Sequence, residues 1–212
     1  MRAVVVAGSD ITGVLDTTLL ETADLLVAVD AGADALAAVG AVPSLLVGDF
    51  DSISSQTRAV LQEQGVEIVL LPVAKDVTDT EAALRLVVER GADDIVVLGA
   101  LGGPRLDHLM GNLLLLTSDW LADRSVRLID DRHEAFLARG EAVLAGNGGD
   151  IVSLLPLTGD VADVSTEGLL YPLKGETLRG SATRGLSNTM TGSEARVTHG
   201  DGLLLVIHYR GR

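Results

Sequence analysis

Three short stretches of the sequence group side chains whose types and spacing could do chemistry together. The first is Gly48-Asp49-Phe50-Asp51-Ser52. It follows the apolar run 45–47, so a strand ends there and a turn carries both carboxylates. Carboxylate oxygens are hard ligands that suit Mg²⁺, which completes its shell with water and substrate phosphate. A solvated turn with Asp as a capping residue explains an Asp-x-Asp pair equally well. The second stretch is Lys75-Asp76-Val77-Thr78-Asp79-Thr80-Glu81, again after a strand pattern and at a helix start. Asp79 either caps that helix or joins Asp49 and Asp51 at one edge of a sheet. If the three converge, each charged pair at about 4 Å costs on the order of 4 kcal/mol at an effective dielectric near 20. A domain's whole stability is only about 5–15 kcal/mol, so convergence demands a cation or protonation. The third stretch, Gly99-Ala100-Leu101-Gly102-Gly103-Pro104-Arg105-Leu106-Asp107-His108, is a Gly-rich turn, an arginine and a helix start. Such a turn can bind an anion, and Arg105 could grip phosphate with two parallel hydrogen bonds. A plain turn with Asp107 as helix cap and His108 on the surface remains an equal reading.

The elements that must position these residues follow from hydrophobic pattern. Runs 3–7, 25–29, 45–47, 67–71 and 95–98 are short, Val-rich and almost continuously apolar, as strands covered on both faces are. Helical patterns at 33–39, 54–64 and 80–90 each stop at a glycine, Gly40, Gly65 and Gly91, which accepts the left-handed backbone at a helix end. Thr78 and Glu81 have capping-box spacing. A further helix is predicted over 107–118. This alternation predicts an α/β N-terminal domain, a mostly parallel sheet with helices on both faces. Near Ser125 the pattern changes to closely spaced glycines and short β-prone pieces such as 150–155, 194–198 and 203–209. These predict an all-β sandwich. The boundary is expected between 133 and 148, giving domains 1–135 and 136–212.

Composition narrows the class of function. The 212 residues carry a net charge of −14, which repels phosphate backbones and argues against nucleic acid. A phosphorylated substrate then needs a bound cation or local Arg and Lys. No apolar run is long enough to span a bilayer, and the N-terminus lacks a signal-peptide pattern. The absence of cysteine excludes disulfides and thiolate chemistry. A cytoplasmic protein is expected. Neither a P-loop nor Gly-x-Gly-x-x-Gly is present, and Ala7-Gly8-Ser9-Asp10 reads as an ordinary strand-to-helix turn.

Taken together and in this order, the three stretches resemble the thiamine pyrophosphokinase (thiamine diphosphokinase) family. Further matching pieces are Asp30-Ala31-Gly32-Ala33, Asn112, Gly168-Leu169-Leu170-Tyr171-Pro172-Leu173 and Thr183-Arg184-Gly185-Leu186-Ser187-Asn188. The resemblance implies Mg²⁺-dependent transfer of pyrophosphate from ATP to thiamine, giving thiamine diphosphate and AMP. It implies a homodimer whose site lies between the α/β domain of one chain and the β domain of the other. By position, Asp49, Asp51 and Asp79 would hold Mg²⁺, and Asp76, Arg105 and Asp107 would line the phosphate and substrate region. Lys75, His108 and Asn112 would bind nucleotide, and Thr183, Ser187 and Asn188 would serve thiamine. Competing expectations are a metal-dependent glycosyltransferase, a pyrophosphokinase for another alcohol such as a pterin, and an inactive thiamine-binding sensor.

Overall fold

The computed structural model describes residues 1–8, 15 and 17–211. The chain forms two compact units, Met1–Asp131 and Arg132–Arg212.

The first unit contains β1 (Arg2–Val6), α1 (Thr17–Glu21), β2 (Leu25–Val29), α2 (Gly32–Ala38), β3 (Leu45–Gly48), α3 (Ser55–Glu63), β4 (Glu67–Leu70), α4 (Asp79–Glu89), β5 (Asp94–Leu98), α5 (Leu106–Leu115) and β6 (Ser125–Ile129). Its strands run in the order β6-β5-β1-β2-β3-β4, and every pairing is parallel. Side chains alternate across a strand, and here both sets are buried. Val4, Val6, Ala28, Leu46 and Val96 share one core with Leu36 of α2 and Leu61 of α3. The alternate residues Val5, Val27, Val47 and Val97 are just as buried, and α4 packs on β1, β2 and β3. Helices on both faces therefore explain the unbroken apolar runs.

The order of the strands also places the site. From β1 the chain builds outward through β2, β3 and β4, then returns to set β5 on the other flank of β1. The connections that leave the carboxyl ends of the paired strands β1 and β5 thus lead to opposite flanks of the sheet, and open α/β sheets bind ligands at such a switch point.

The second unit contains β7 (His133–Ala138), β8 (Glu141–Ala145), β9 (Ile151–Pro156), β10 (Val161–Glu167), β11 (Glu176–Leu178), β12 (Asn188–Thr189), β13 (Glu194–Thr198) and β14 (Leu204–Tyr209). Strands β12-β9-β14-β7 form one antiparallel sheet and β11-β10-β13-β8 another. Val152, Leu154, Leu204 and Val206 of the first sheet share a core with Leu144, Val164, Ala195 and Val197 of the second. The period-2 alternation supplies one apolar face per sheet.

Three expectations change. Ser125–Ile129 is the sixth parallel strand of the first unit, paired with β5, although the sequence pattern shifts there. Its alternating polar residues, Ser125 and Arg127, make it resemble a piece of antiparallel sheet. Strand β4 is an edge strand, which leaves Leu70 exposed. Helix α5 begins at Leu106 with Arg105 at its cap position, so Asp107 lies inside the first turn and does not cap the helix. Ser9 and Asp10 of the turn after β1 lie outside the described residues.

Candidate active site

A cleft of about 410 Å³ opens at the carboxyl edge of the parallel sheet. Every residue that lines it belongs to the first unit. Gly8 follows β1, Asp30 follows β2, Asp49 and Asp51 follow β3, and Lys75 and Asp79 follow β4. Gly99, Gly102, Gly103 and Arg105 follow β5, and His108 and Asn112 come from α5. One edge of one sheet therefore gathers all three stretches.

The turn after β3 is built around its glycine and phenylalanine. Phe50 is buried in the core beneath the Arg58 guanidinium, which lies 4.7 Å from the ring centroid. That anchor presents the flanking Asp49 and Asp51 to the cleft. Phe50 itself takes a positive φ of 65°, and its backbone N–H donates to Oδ1 of Asp30 at 3.1 Å. Asp30 also has a positive φ, 45°, a conformation that Asp adopts more readily than most residues. Gly48 has φ 151° and lies against the Asp30 carboxylate, where no side chain would fit.

Carboxylate oxygens of Asp30, Asp49 and Asp79 all lie within 4.8 Å of one another. Ionised together, each pair at that separation costs about 3 kcal/mol at an effective dielectric near 20. Two devices relieve this repulsion. Lys75 Nζ sits 3.1 Å from Asp49 and 3.0 Å from Asp79. Hydrogen bonding from Lys75 holds the Asp49 carboxyl below its ordinary range. Asp30 responds in the opposite direction. Burial pushes its pKa up to about 6, against the Phe50 N–H and with help from the charges of Asp79, Asp49 and Asp51.

The donor set suits a hard divalent cation: three carboxylates from three separate segments, with open cleft beside them. Asp79 Oδ1 is buried and lacks an aligned hydrogen-bond donor, although the Lys75 ammonium is close. An acceptor left in that state fits a cation. Asp30, Asp49 and Asp79 could hold one.

The other candidates fall into place as follows. Asp51 stands on the cleft wall outside the three-carboxylate cluster, and its N–H donates to Asp49 Oδ1 at 3.3 Å. Asp76 is exposed and does not line the cleft. Arg105 lines it, while Asp107 holds the guanidinium from behind through bonds of 2.9 and 2.6 Å. Arg105 lowers the Asp107 pKa accordingly. Nη1 of Arg105 is outside that pair. Asn112 donates to the carbonyl of Ala100 at 3.0 Å and so pins the Gly-rich turn. Thr78 caps α4 by accepting from the Glu81 N–H, whereas the Glu81 carboxylate binds Arg85 in place of the reciprocal bond of a capping box.

Thr183, Ser187 and Asn188 belong to the second unit. Asn188 accepts from the Tyr171 N–H at 3.0 Å and donates to the Tyr171 carbonyl at 2.7 Å. Ser187 has φ 58° and donates its N–H to the Ser153 hydroxyl. Thr183 is exposed, and its carbonyl accepts from the Leu186 N–H. The Gly168–Leu173 and Thr183–Asn188 stretches thus meet through the Tyr171–Asn188 clasp.

Asp30 is the cluster member that sequence reasoning left without a role. The available signal was its position directly after β2, matching Asp49 after β3.

Residues 17–128 match the family described as thiamin pyrophosphokinase, catalytic domain. The chain belongs to the thiamine pyrophosphokinase family. Residues 142–204 match the corresponding vitamin B1 binding domain. A thiamine pyrophosphokinase of Bacillus subtilis is 30% identical over 200 residues, covering 93% of this chain and 91% of that protein. The crystal structure of the Bacillus subtilis enzyme aligns with a TM-score of 0.89 at 28% identity, over the full length of both chains. That of a family protein from Enterococcus faecalis aligns at 0.86 and 25% identity, again over both full lengths. These relatives make the chain an enzyme of this family with the family's two-domain order.

Proposed function

We propose that this enzyme transfers a pyrophosphoryl group from ATP to the hydroxyethyl oxygen of thiamine, with Mg²⁺, giving thiamine diphosphate and AMP. The observation that carries the reading is the convergence of Asp30, Asp49 and Asp79 with Lys75 beside a Gly-rich turn and Arg105, in one cleft. Acid on one side and arginine on the other suit a metal-bound polyphosphate.

In the reaction the thiamine hydroxyl releases its proton to solvent as its oxygen attacks the β-phosphorus, the bond from that phosphorus to the bridging oxygen of AMP breaks, and AMP leaves with the electron pair. Such transfers ask chiefly for positioning and charge neutralisation. Asp30, Asp49 and Asp79 would hold Mg²⁺, which would supply neutralisation of the phosphate oxygens. Arg105, its plane fixed by Asp107, presents Nη1 to phosphate. Asn112 holds the Gly-rich turn so that its backbone N–H groups stay in place. Asp51 and His108 complete the walls. Thr183, Ser187 and Asn188 are assigned to thiamine, and the positive charge of that substrate suits an acidic protein.

A homodimer with shared sites is part of the proposal. It is supported by an exposed apolar stripe on α5, Leu106, Met110 and Leu114, and by exposed Leu170, Tyr171 and Leu186 in the second unit. A cytoplasmic location is part of it too. Among the described residues no helix is long and apolar enough to cross a membrane.

The test is incubation with ATP, Mg²⁺ and thiamine followed by separation of products. AMP and thiamine diphosphate in equal amounts are expected. ADP as the nucleotide product, or no turnover across pH and metals, refutes the reading. A single-chain mass for an active preparation on gel filtration refutes the shared site.

A further inference from the structure

Lys75 sits within the carboxylate cluster. Its side chain is 13% exposed, and its ammonium touches Asp49 Oδ2 and Asp79 Oδ1 at once. An ammonium in contact with two carboxylates is a cation held in place by their charge. Asp49 lies in the turn after β3, and Asp79 is the first residue of α4. One ammonium therefore ties two separate elements together across the centre of the cleft.

The tie is incomplete. The Asp79 contact lacks hydrogen-bond alignment, and its oxygen has no other partner. Asp30, the third carboxylate, receives a hydrogen bond from Phe50 N–H and nothing from Lys75. A single +1 charge faces three carboxylates. A divalent ion would draw on the same oxygens with twice the charge and would repel the ammonium. Lysine is suited to yield: its point charge rides on a flexible four-carbon stem with rotatable donors. The cleft that holds Lys75 continues to Gly102, Gly103 and Arg105.

We propose that Lys75 is a displaceable stand-in for the divalent cation, holding Asp49 and Asp79 in the metal-free enzyme and moving to the phosphate oxygens once the cation enters. The inference rests on the metal–nucleotide reading above. It makes metal occupancy a condition for the lysine's grip on nucleotide. The signature is a pair of effects of opposite sign. Removing the ammonium strengthens binding of metal alone and weakens binding of nucleotide. A lysine that only braces the fold would weaken both.

The test uses the full chain, with Mn²⁺ as the probe and a non-cleavable α,β-methylene analogue of ATP as the nucleotide. In Lys75→Met, calorimetry is expected to show Mn²⁺ alone binding about tenfold more tightly and the analogue, at saturating Mn²⁺, about tenfold more weakly. A metal affinity in the variant equal to or below wild type overturns the proposal and leaves the metal site standing. Binding of Mn²⁺ by neither protein, with or without the analogue, overturns the underlying reading as well. A measurement on the unmutated chain avoids dependence on the variant's folding. The chain has two lysines, Lys75 and Lys174. Acylation read by mass spectrometry is expected to show Mn²⁺ raising the labelling of Lys75 relative to exposed Lys174, and the analogue lowering it again. Saturation with Mn²⁺ and no change in Lys75 labelling refutes displacement.

Discussion

A Cβ placed on Gly48 would stand 1.8 Å from Oδ1 of Asp30, so the carboxylate after β2 occupies the space that a side chain at the end of β3 would need. Gly48 also has φ 151°, in the region glycine alone enters freely. Gly48→Ala is therefore expected to lose about 1–3 kcal/mol from backbone strain and to push Asp30 out of the cluster. Activity measured well below the melting temperature should fall further than the stability loss explains. Wild-type activity in a folded Gly48→Ala protein would show that the position of Asp30 is not needed.

Asp30 predicts a pH dependence. Its folded pKa is raised from 3.8 to about 6, chiefly by burial. The folded state thus binds the proton more tightly than the unfolded chain does. This contribution to stability is complete below 3.8 and is lost as pH rises through about 6. In metal-free buffer, Asp30→Asn keeps an acceptor for the Phe50 N–H but removes the charge. It is expected to melt above wild type at pH 8, by up to about 3 kcal/mol at about 1.4 kcal/mol per pKa unit. That advantage should vanish near pH 4. Melting curves at the two pH values check it, and an advantage independent of pH would contradict the assignment.

The parallel core of the first unit was legible because strands buried on both faces leave an unbroken apolar signature, as in Leu25–Val29 and Asp94–Leu98. Strand Ser125–Ile129 was not, since one face of its alternation is polar and sequence carries no sign of whether a lone strand pairs parallel. The three chemical stretches announced themselves by composition. Their convergence did not, because it depends on strand order, which sets β2, β3 and β4 side by side. The role of Lys75 was visible only as a charge near a phosphate site. Its seat between Asp49 and Asp79 depends on how the segment between β4 and α4 places Lys75 on the cleft wall beside both.

Cluster membership ranks the carboxylates. Groups that stabilise developing charge are worth about 10²–10³ in rate. Asp49→Asn and Asp79→Asn are expected to lose at least about 100-fold in turnover while keeping their circular dichroism. Asp30→Asn should cost more than Asp51→Asn, because Asp30 shares the cluster and Asp51 lies on the wall. The reverse order, from rates at saturating Mg²⁺, would return Asp51 to the metal and remove Asp30.

Arg105 and Asp107 separate function from stability. Their pair is 65% exposed on both sides, and such pairs contribute little to folding. Arg105→Ala should leave the melting temperature within about a degree or two while sharply reducing turnover. Arg105→Lys should restore only part of the rate, since an ammonium lacks the planar fork of the guanidinium. Full activity in Arg105→Lys would mean that charge alone suffices there.

The second unit has its own buried ionic centre. His208 Nε2 lies 3.0 Å from Asp150 Oδ2, and Asp150 also accepts from the Asn147 N–H at 2.9 Å and the Gly211 N–H at 3.0 Å. Both side chains are almost fully buried. Burial works to raise the Asp150 pKa, but these donors outweigh it and hold the carboxyl below 3.8. A depressed folded pKa contributes stability above the unfolded value, which is lost as pH falls through the folded one. In Asp150→Asn the amide turns an N–H group toward an existing N–H donor, which is expected to cost about 1–3 kcal/mol at pH 7. The gap between wild type and variant should narrow below pH 3.8, as wild-type Asp150 takes up its proton and forfeits the same bonds. A gap that stays constant down to acid unfolding would show that the charge on Asp150 contributes nothing to this fold.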